Sequence, residues 1–390
     1  MATKRILVVD DSCMYQRLLS DVINQHPGME VVGVAADGKC ALESIPVLKP
    51  DLVTLDILMP ELDGIQTLMK LRRAWPDIRT VMVSSLTSEG SDAALDALAL
   101  GASEYVAKPS AVGGISSIRQ ALSEDLLPKI AALCGIDQFS ATDSNKVKSV
   151  IHRQAGSLSR TNSSANKVVP EIVAIGVSTG GPDALTKLLV QLPADLEVPI
   201  VIVQHMPAEF TAKLAVRLDE ASALTVKEAE IGDCLQPGTV YMAPGDYHMV
   251  LERFNGAEAA IRLNQDPPEN SCRPSADPLF RSVATLYGER SLGIIMTGMG
   301  QDGLKGSEAL YAAGSSVLVQ DEASSIVWGM PKLVAMAGLA EEQVPLNQIA
   351  MRILDRVRPA STSPGKVGRL SVEAANSSTY GKTMLGGEVQ

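Results

Sequence analysis

The feature that most restricts this chain is a series of short, near-continuous apolar runs, each followed by an amphipathic stretch. In the first third these runs are Arg5–Val9, Glu30–Ala35, Leu52–Leu55, Thr80–Ser84 and Glu104–Ala107, separated by helical patterns such as 13–25, 64–74 and 91–100. A strand that is apolar on both sides must be covered on both sides. Five such strands alternating with five helices therefore predict a parallel sheet between two helical layers. The same logic returns at Glu171–Val177, Pro199–Val203, Leu292–Met296 and Ser316–Val319. Between 224 and 265 the runs shorten and alternate, with turns at Pro237-Gly238 and Gly245-Asp246. That pattern predicts an antiparallel excursion on an otherwise parallel sheet. The fold class expected is α/β, with two doubly wound domains.

A length of 390 residues accommodates two or three domains with real cores. Residues 136–167 carry a net positive charge in an otherwise acidic chain, and 157–166 holds few large apolar groups. Such a stretch cannot offset its ordering entropy and reads as a flexible linker between domains at 1–135 and 168–358. Residues 359–390 read as a disordered tail. The formal charge of −11 argues against a general nucleic-acid or anionic-membrane binder, which needs a positive field. No apolar run approaches the roughly 18 residues of a membrane span, and the first residues do not read as a signal peptide. The five cysteines are scattered without a CxxC pair, which excludes a disulfide scaffold or thiolate zinc site and fits a reducing cytoplasm.

In a parallel sheet, polar groups at the carboxyl ends of strands converge where ligands bind. Asp10 and Asp11 follow the first strand, Asp56 ends the third, Ser84 ends the fourth and Lys108 follows the fifth. Three crowded carboxylates need a cation, and hard oxygen ligands suit Mg²⁺. The ammonium of Lys108 and the hydroxyl of Ser84 are placed to grip a phosphorylated carboxylate. A single Asp here could simply cap the next helix, but five polar groups at one sheet edge exceed that duty.

In the second domain, Glu171–Val177 runs into Ser178-Thr-Gly-Gly-Pro and then a helix, expected over Asp183–Gln191. A helix N-terminus offers free N–H groups to an oxyanion and the glycines admit a substrate, although a plain serine N-cap fits this motif equally well. Of the four histidines, His26 lies in the first domain and His152 in the linker, while His248 falls at a hairpin turn. His205, just past an apolar strand, is the best base. Asp302, in the loop after Leu292–Met296, is the third group expected at that edge and would orient the imidazole.

Two other patterns compete. Gly176-Val-Ser178-Thr-Gly180 matches the nucleophile elbow of α/β-hydrolases, whose order is Ser, acid, His, yet no histidine follows His248. Gly298, Gly300 and Gly303 outline a dinucleotide fingerprint with Asp321 downstream, which would make the chain an oxidoreductase. Against that, Asp302 would set like charge against a pyrophosphate.

The residues also carry family resemblances. Residues 4–125 resemble the receiver domain of two-component response regulators in Asp10-Asp11, Asp56 within Leu-Asp-Ile-Leu-Met-Pro, Ser84, Tyr105 and Lys108-Pro109. Residues 171–355 resemble the catalytic domain of chemotaxis protein-glutamate methylesterases. The marks are Gly176-Val-Ser-Thr-Gly-Gly-Pro, Val203-Gln-His-Met, Tyr241-Met-Ala-Pro-Gly-Asp, Arg273-Pro-Ser-Ala-Asp and Thr297-Gly-Met-Gly-Gln-Asp-Gly. The resemblance implies a flavodoxin-like (βα)5 receiver followed by a Rossmann-like esterase. It further implies phosphorylation of Asp56 by a sensor histidine kinase, Mg²⁺ held by Asp10, Asp11 and Asp56, and movement of Ser84 and Tyr105 in response.

For the esterase it implies a triad of Ser178, His205 and Asp302 that demethylates glutamyl esters on methyl-accepting chemoreceptors and deamidates selected glutamines. Backbone N–H groups of Thr179 and Met299 are the expected oxyanion donors, and no metal is required there. The protein is expected in the cytoplasm. Two positions depart from the family's pattern: Val177 replaces a usual Ala, a nearly neutral change. Cys272 replaces a His that commonly precedes Arg-Pro-Ser in the substrate groove. A competing expectation is a regulator whose second half only binds a partner.

Overall fold

The structure, a computed structural model, describes residues 3–85, 88–109, 114–136, 168–254 and 258–358. These belong to one packed unit, Met1–Pro359. The expected linker, apart from Ile136, and the expected tail lie outside the described residues, as does His152.

The first sheet contains β1 (Lys4–Val9), β2 (Met29–Ala35), β3 (Leu52–Asp56), β4 (Arg79–Ser85) and β5 (Glu104–Lys108), all parallel, in the order β2-β1-β3-β4-β5. Its helices are α1 (Cys13–Asn24), α2 (Gly38–Leu48), α3 (Gly64–Ala74), α4 (Ser88–Ala99) and α5 (Gly114–Leu133). Asp37 and Asp63 start α2 and α3 by accepting the N–H of Cys40 and Gln66, which satisfies donors that a helix start leaves open. Every residue of β3 is buried, as a strand covered on both sides requires.

The second sheet has seven strands: β6 (Ile172–Val177), β7 (Ile200–Gln204), β8 (Thr225–Glu228), β9 (Thr239–Met242), β12 (Ser291–Ile295), β13 (Ser316–Gln320) and β14 (Glu342–Val344). All pair in parallel in the order β14-β13-β12-β6-β7-β9-β8. The strands β10 (His248–Phe254) and β11 (Glu258–Asn264) form a separate antiparallel hairpin. The segment 224–265 thus divides: its antiparallel part is this hairpin, whereas β8 and β9 extend the parallel sheet. The connection 229–238 is too long for a tight hairpin turn and crosses over instead. The helices are α6 (Gly181–Leu189), α7 (Ala208–Ala221), α8 (Ala276–Tyr287), α9 (Leu304–Ala312), α10 (Met330–Met336) and α11 (Leu346–Val357).

In both sheets the strand order reverses once beside the first strand, between β1 and β3 and between β6 and β12. Loops leaving the two neighbouring strands part there and open a crevice at their carboxyl ends.

Candidate active site and acidic pocket

The first crevice holds Asp10, Asp11 and Asp56, with one oxygen from each lying within 4.8 Å of the others. Asp10 and Asp56 are buried and Asp11 is exposed. Lys108 Nζ lies 2.8 Å from Asp10 and 2.7 Å from Asp56. One ammonium against three carboxylates leaves a negative pocket of hard oxygen donors, which fits a divalent cation. Burial pushes the Asp56 carboxyl above its ordinary range, and Lys108 opposes that rise. Ser84 is buried at the end of β4, and among the described residues its hydroxyl meets the Ser85 carbonyl at 3.5 Å. Tyr105 is also buried, and its ring lies 4.4 Å from that of Phe210 on α7, so it touches the second domain directly.

At the second crevice, Ser178 follows β6 and its N–H bonds to the Thr297 carbonyl beyond β12, at 3.0 Å. A Cβ on Gly298 would meet the Ser178 Cβ at 2.8 Å, so only glycine lets these two loops approach. His205 follows β7. Its Nε2 lies 2.7 Å from Asp302 Oδ2, which realises one expected pair.

Asp302 sits on the N-terminus of α8. Besides His205 it accepts from Ser275 Oγ (2.6 Å), Ala276 N (2.6 Å), Asn270 Nδ2 (2.9 Å) and Asp277 N (3.3 Å). Burial alone would raise this carboxyl, but His205, Ser275 and Ala276 hold it down at about 2. The capping is reciprocal. Asp277, in the first turn of α8, accepts the Gly306 N–H of α9 at 2.6 Å, and Asn270 Nδ2 also reaches Asp277 at 2.9 Å.

With Nε2 on Asp302, the ring nitrogen left for a nucleophile is Nδ1. Cys272 Sγ faces it at 3.5 Å. No hydrogen bond joins Ser178 Oγ to His205 among the described residues. Burial disfavours charge on His205, but Asp302 and Cys272 outweigh it and push the ring up to about 10. The structure thus brings His205 and Asp302 together, sets Ser178 on the adjoining strand end, and inserts a thiol at the ring's other face. The backbone N–H groups of Thr179 and Met299 have no partner among the described residues, which leaves them open to a ligand oxygen.

Sequence reasoning missed three contributors: Asn270, Ser275 and Asp277. Only Ser275 left a local sign, a serine immediately before an apolar-periodic helix. His248 is buried, taking Ser275 N–H on Nδ1 at 3.3 Å and meeting the Pro267 carbonyl through Nε2 at 3.2 Å. Its duty is structural. In the glycine run, Gly298 already bonds Val327, Gly329 and Met330 through its own backbone, which leaves that loop no free groups for a pyrophosphate at its first glycine.

The first domain leans on this crevice. Val327, Ile326 and Met299 pack with the apolar face of α5, and a cavity of about 620 Å³ lies between Ala132 and Ile136 on one side and Asn270, Met299 and Trp328 on the other. Ion pairs flank the contact: Arg217 of α7 to Asp96 of α4, and Lys213 to Asp92, both at 2.7 Å.

An acidic pocket with its lysine and a Gly-rich serine turn facing a His–Asp pair, each at the reversal point of a doubly wound sheet, define a receiver joined to a hydrolase-type α/β domain. Comparison with known proteins agrees. Residues 6–119 match the response regulator receiver domain, and residues 173–353 match the family described as CheB methylesterase. A protein of Trichodesmium erythraeum named protein-glutamate methylesterase/protein-glutamine glutaminase is 45% identical over 357 residues, covering 90% of this chain and 99% of its own. Proteins of the same name from Desulfotalea psychrophila and a Nocardioides species are 44% and 43% identical, covering 92% and 94% of this chain and 100% and 99% of their own. The chain belongs to the protein-glutamate methylesterase family of receiver-coupled chemotaxis enzymes.

Proposed function

We propose that this chain hydrolyses glutamyl methyl esters on chemoreceptors under the control of Asp56 phosphorylation, with Ser178, His205 and Asp302 as its triad. The observation that carries the reading is the His205–Asp302 pair at 2.7 Å, beside Ser178 at the crevice where β6 and β12 part. Ser178 Oγ attacks the ester γ-carbonyl and His205 takes its proton through Nδ1. Asp302 holds the imidazolium through Nε2, the reverse of the nitrogen usage in serine proteases but the same chemistry. Thr179 and Met299 N–H groups receive the oxyanion. His205 returns the proton to departing methanol, and water then hydrolyses the acyl-serine to glutamate. A glutamine substrate follows the same path with ammonia as leaving group.

The domain limits proposed are 1–135 for the receiver, 136–167 for the linker, 168–358 for the esterase and 359–390 for a tail. Asp10, Asp11 and Asp56 would hold Mg²⁺, which supplies charge neutralisation for phosphoryl transfer from a sensor histidine kinase. Lys108, Ser84 and Tyr105 are the groups that respond. In the unphosphorylated form α5 covers the esterase crevice, and phosphorylation releases it. No described helix is long and apolar enough to cross a membrane, and the proposed place of work is the cytoplasm.

Methanol release from methylated receptor, compared for wild type and Ser178→Ala, tests the reading. Loss of about 10³-fold or more is expected. Undiminished release from the variant would remove Ser178 from the chemistry, and no release from wild type would leave the second half a binding module or a different enzyme.

A further inference from the structure

The pairing of β6 with β7 ends at Val177 and Gln204, followed by one last backbone bond from His205 N–H to the Val177 carbonyl at 3.1 Å. Beyond it the chains separate to carry Ser178 and His205. The Gln204 side chain bridges the gap. Its Nε2 lies 3.1 Å from the Ser178 carbonyl and 3.1 Å from the His205 carbonyl, so both amide hydrogens are donated to the two peptide groups.

Gln204 is only 2% exposed, and its Oε1 is buried without a partner among the described residues. A flipped amide would turn its oxygen onto two carbonyls, so the network fixes the orientation. A Cβ on Gly181 would lie 1.8 Å from that oxygen, so glycine is needed where α6 begins for as long as Gln204 keeps this orientation. A buried acceptor without a donor opposes folding, and an apolar side chain of equal length would fill the space without that defect. Departures of this kind from local rules gather at functional sites.

We infer that Gln204 is a positioning residue: its carboxamide replaces the missing rung between diverging strand ends and sets the spacing of nucleophile and base. The inference rests on Ser178 and His205 holding those roles.

The test uses the full chain activated by a small-molecule phosphodonor, with active sites counted by fluorophosphonate labelling of Ser178. Gln204→Met keeps the length and removes both donors. Its kcat per labelled site falls about 10- to 100-fold while KM stays within about twofold. Gln204→Glu places a carboxyl there that burial keeps protonated towards neutral pH, able to donate one bond. The ratio of its kcat to that of wild type rises as pH falls, an added ionisation that a purely structural role would not produce. A Met variant with wild-type kcat per site, or a Glu ratio flat with pH, overturns the inference; should the Met variant not fold, the Glu ratio decides alone. Wild type labelled at Ser178 with Gln204 variants unchanged refutes this inference only. Full activity in Ser178→Ala refutes the triad and this inference with it.

Discussion

The two crevices use carboxylates in opposite ways. Asp56 accepts one backbone bond, from Ile57 at 2.8 Å, and shares Lys108 with Asp10, so lone pairs stay free for a ligand. Burial pushes its carboxyl up. Asp302 accepts from His205, Asn270, Ser275, Ala276 and Asp277, and these bonds outweigh burial to hold it down. The carboxylate proposed as the phosphorylation site is left under-bonded and adaptable. One that must hold another side chain is saturated and fixed. The same sheet topology serves both, and the difference lies in how many donors the neighbouring loops direct inward.

The sharpest way to break this comparison is Asp302→Asn. The amide cannot compensate an imidazolium and selects the wrong tautomer, so kcat falls about 10⁴-fold in a methanol-release assay. A loss under tenfold would mean that Asp302 is only a helix cap. On the other side, Asp56→Ala keeps the low unstimulated rate and loses all response to a phosphodonor. Stimulation surviving in that variant would remove Asp56 from the switch.

A smaller effect is expected at the contact between the domains. Arg217→Ala deletes a partly exposed pair with Asp96 and a 2.9 Å bond to the Asp92 carbonyl. The unstimulated rate rises roughly two- to fivefold, as the usual worth of an exposed ion pair implies. Added salt reproduces part of that rise in wild type and less in the variant. An unchanged rate with unchanged salt response would exclude the pair as a clamp.

The smallest effect concerns pH. The proposed base must be unprotonated; burial disfavours charge on His205, but Asp302 and Cys272 outweigh it and push the ring up to about 10. The unstimulated rate should therefore climb with pH from neutrality towards that value. Cys272→Ala removes one of the raising contacts and frees Nδ1, so the ascending limb moves to lower pH and the rate at neutral pH increases. A limb that stays in place, or moves to higher pH, would show that the thiol does not touch the base in solution.

Much of this was legible in the sequence because strand ends advertise themselves. A fully apolar run must lie inside a sheet, so the polar residue that ends it falls at the rim, and the structure sets Asp10, Asp56, Ser178 and His205 at the ends of β1, β3, β6 and β7 accordingly. The helix and strand limits of the first domain follow the same periodicity closely. What escaped was set by contacts between distant residues. The parallel pairing of β8 with β9 depends on a crossover that alternation alone cannot distinguish from a hairpin. Asn270, Asp277 and Gln204 acquire their roles only once α8, α9 and the β6–β7 edge are assembled. His248 does lie on the antiparallel hairpin its turn predicts, at the start of β10, but its burial under the start of α8 is set by a contact that the local sequence does not show.

The exchange of caps between α8 and α9 carries a practical consequence for anyone needing an inert version of this enzyme. Because Asp302 fastens one helix while Asp277 fastens the other, altering the proposed triad acid loosens a joint whatever it does to the chemistry, and such a protein should melt at a lower temperature. Ser178 Oγ anchors nothing among the described residues, so its removal gives the cleaner substrate trap.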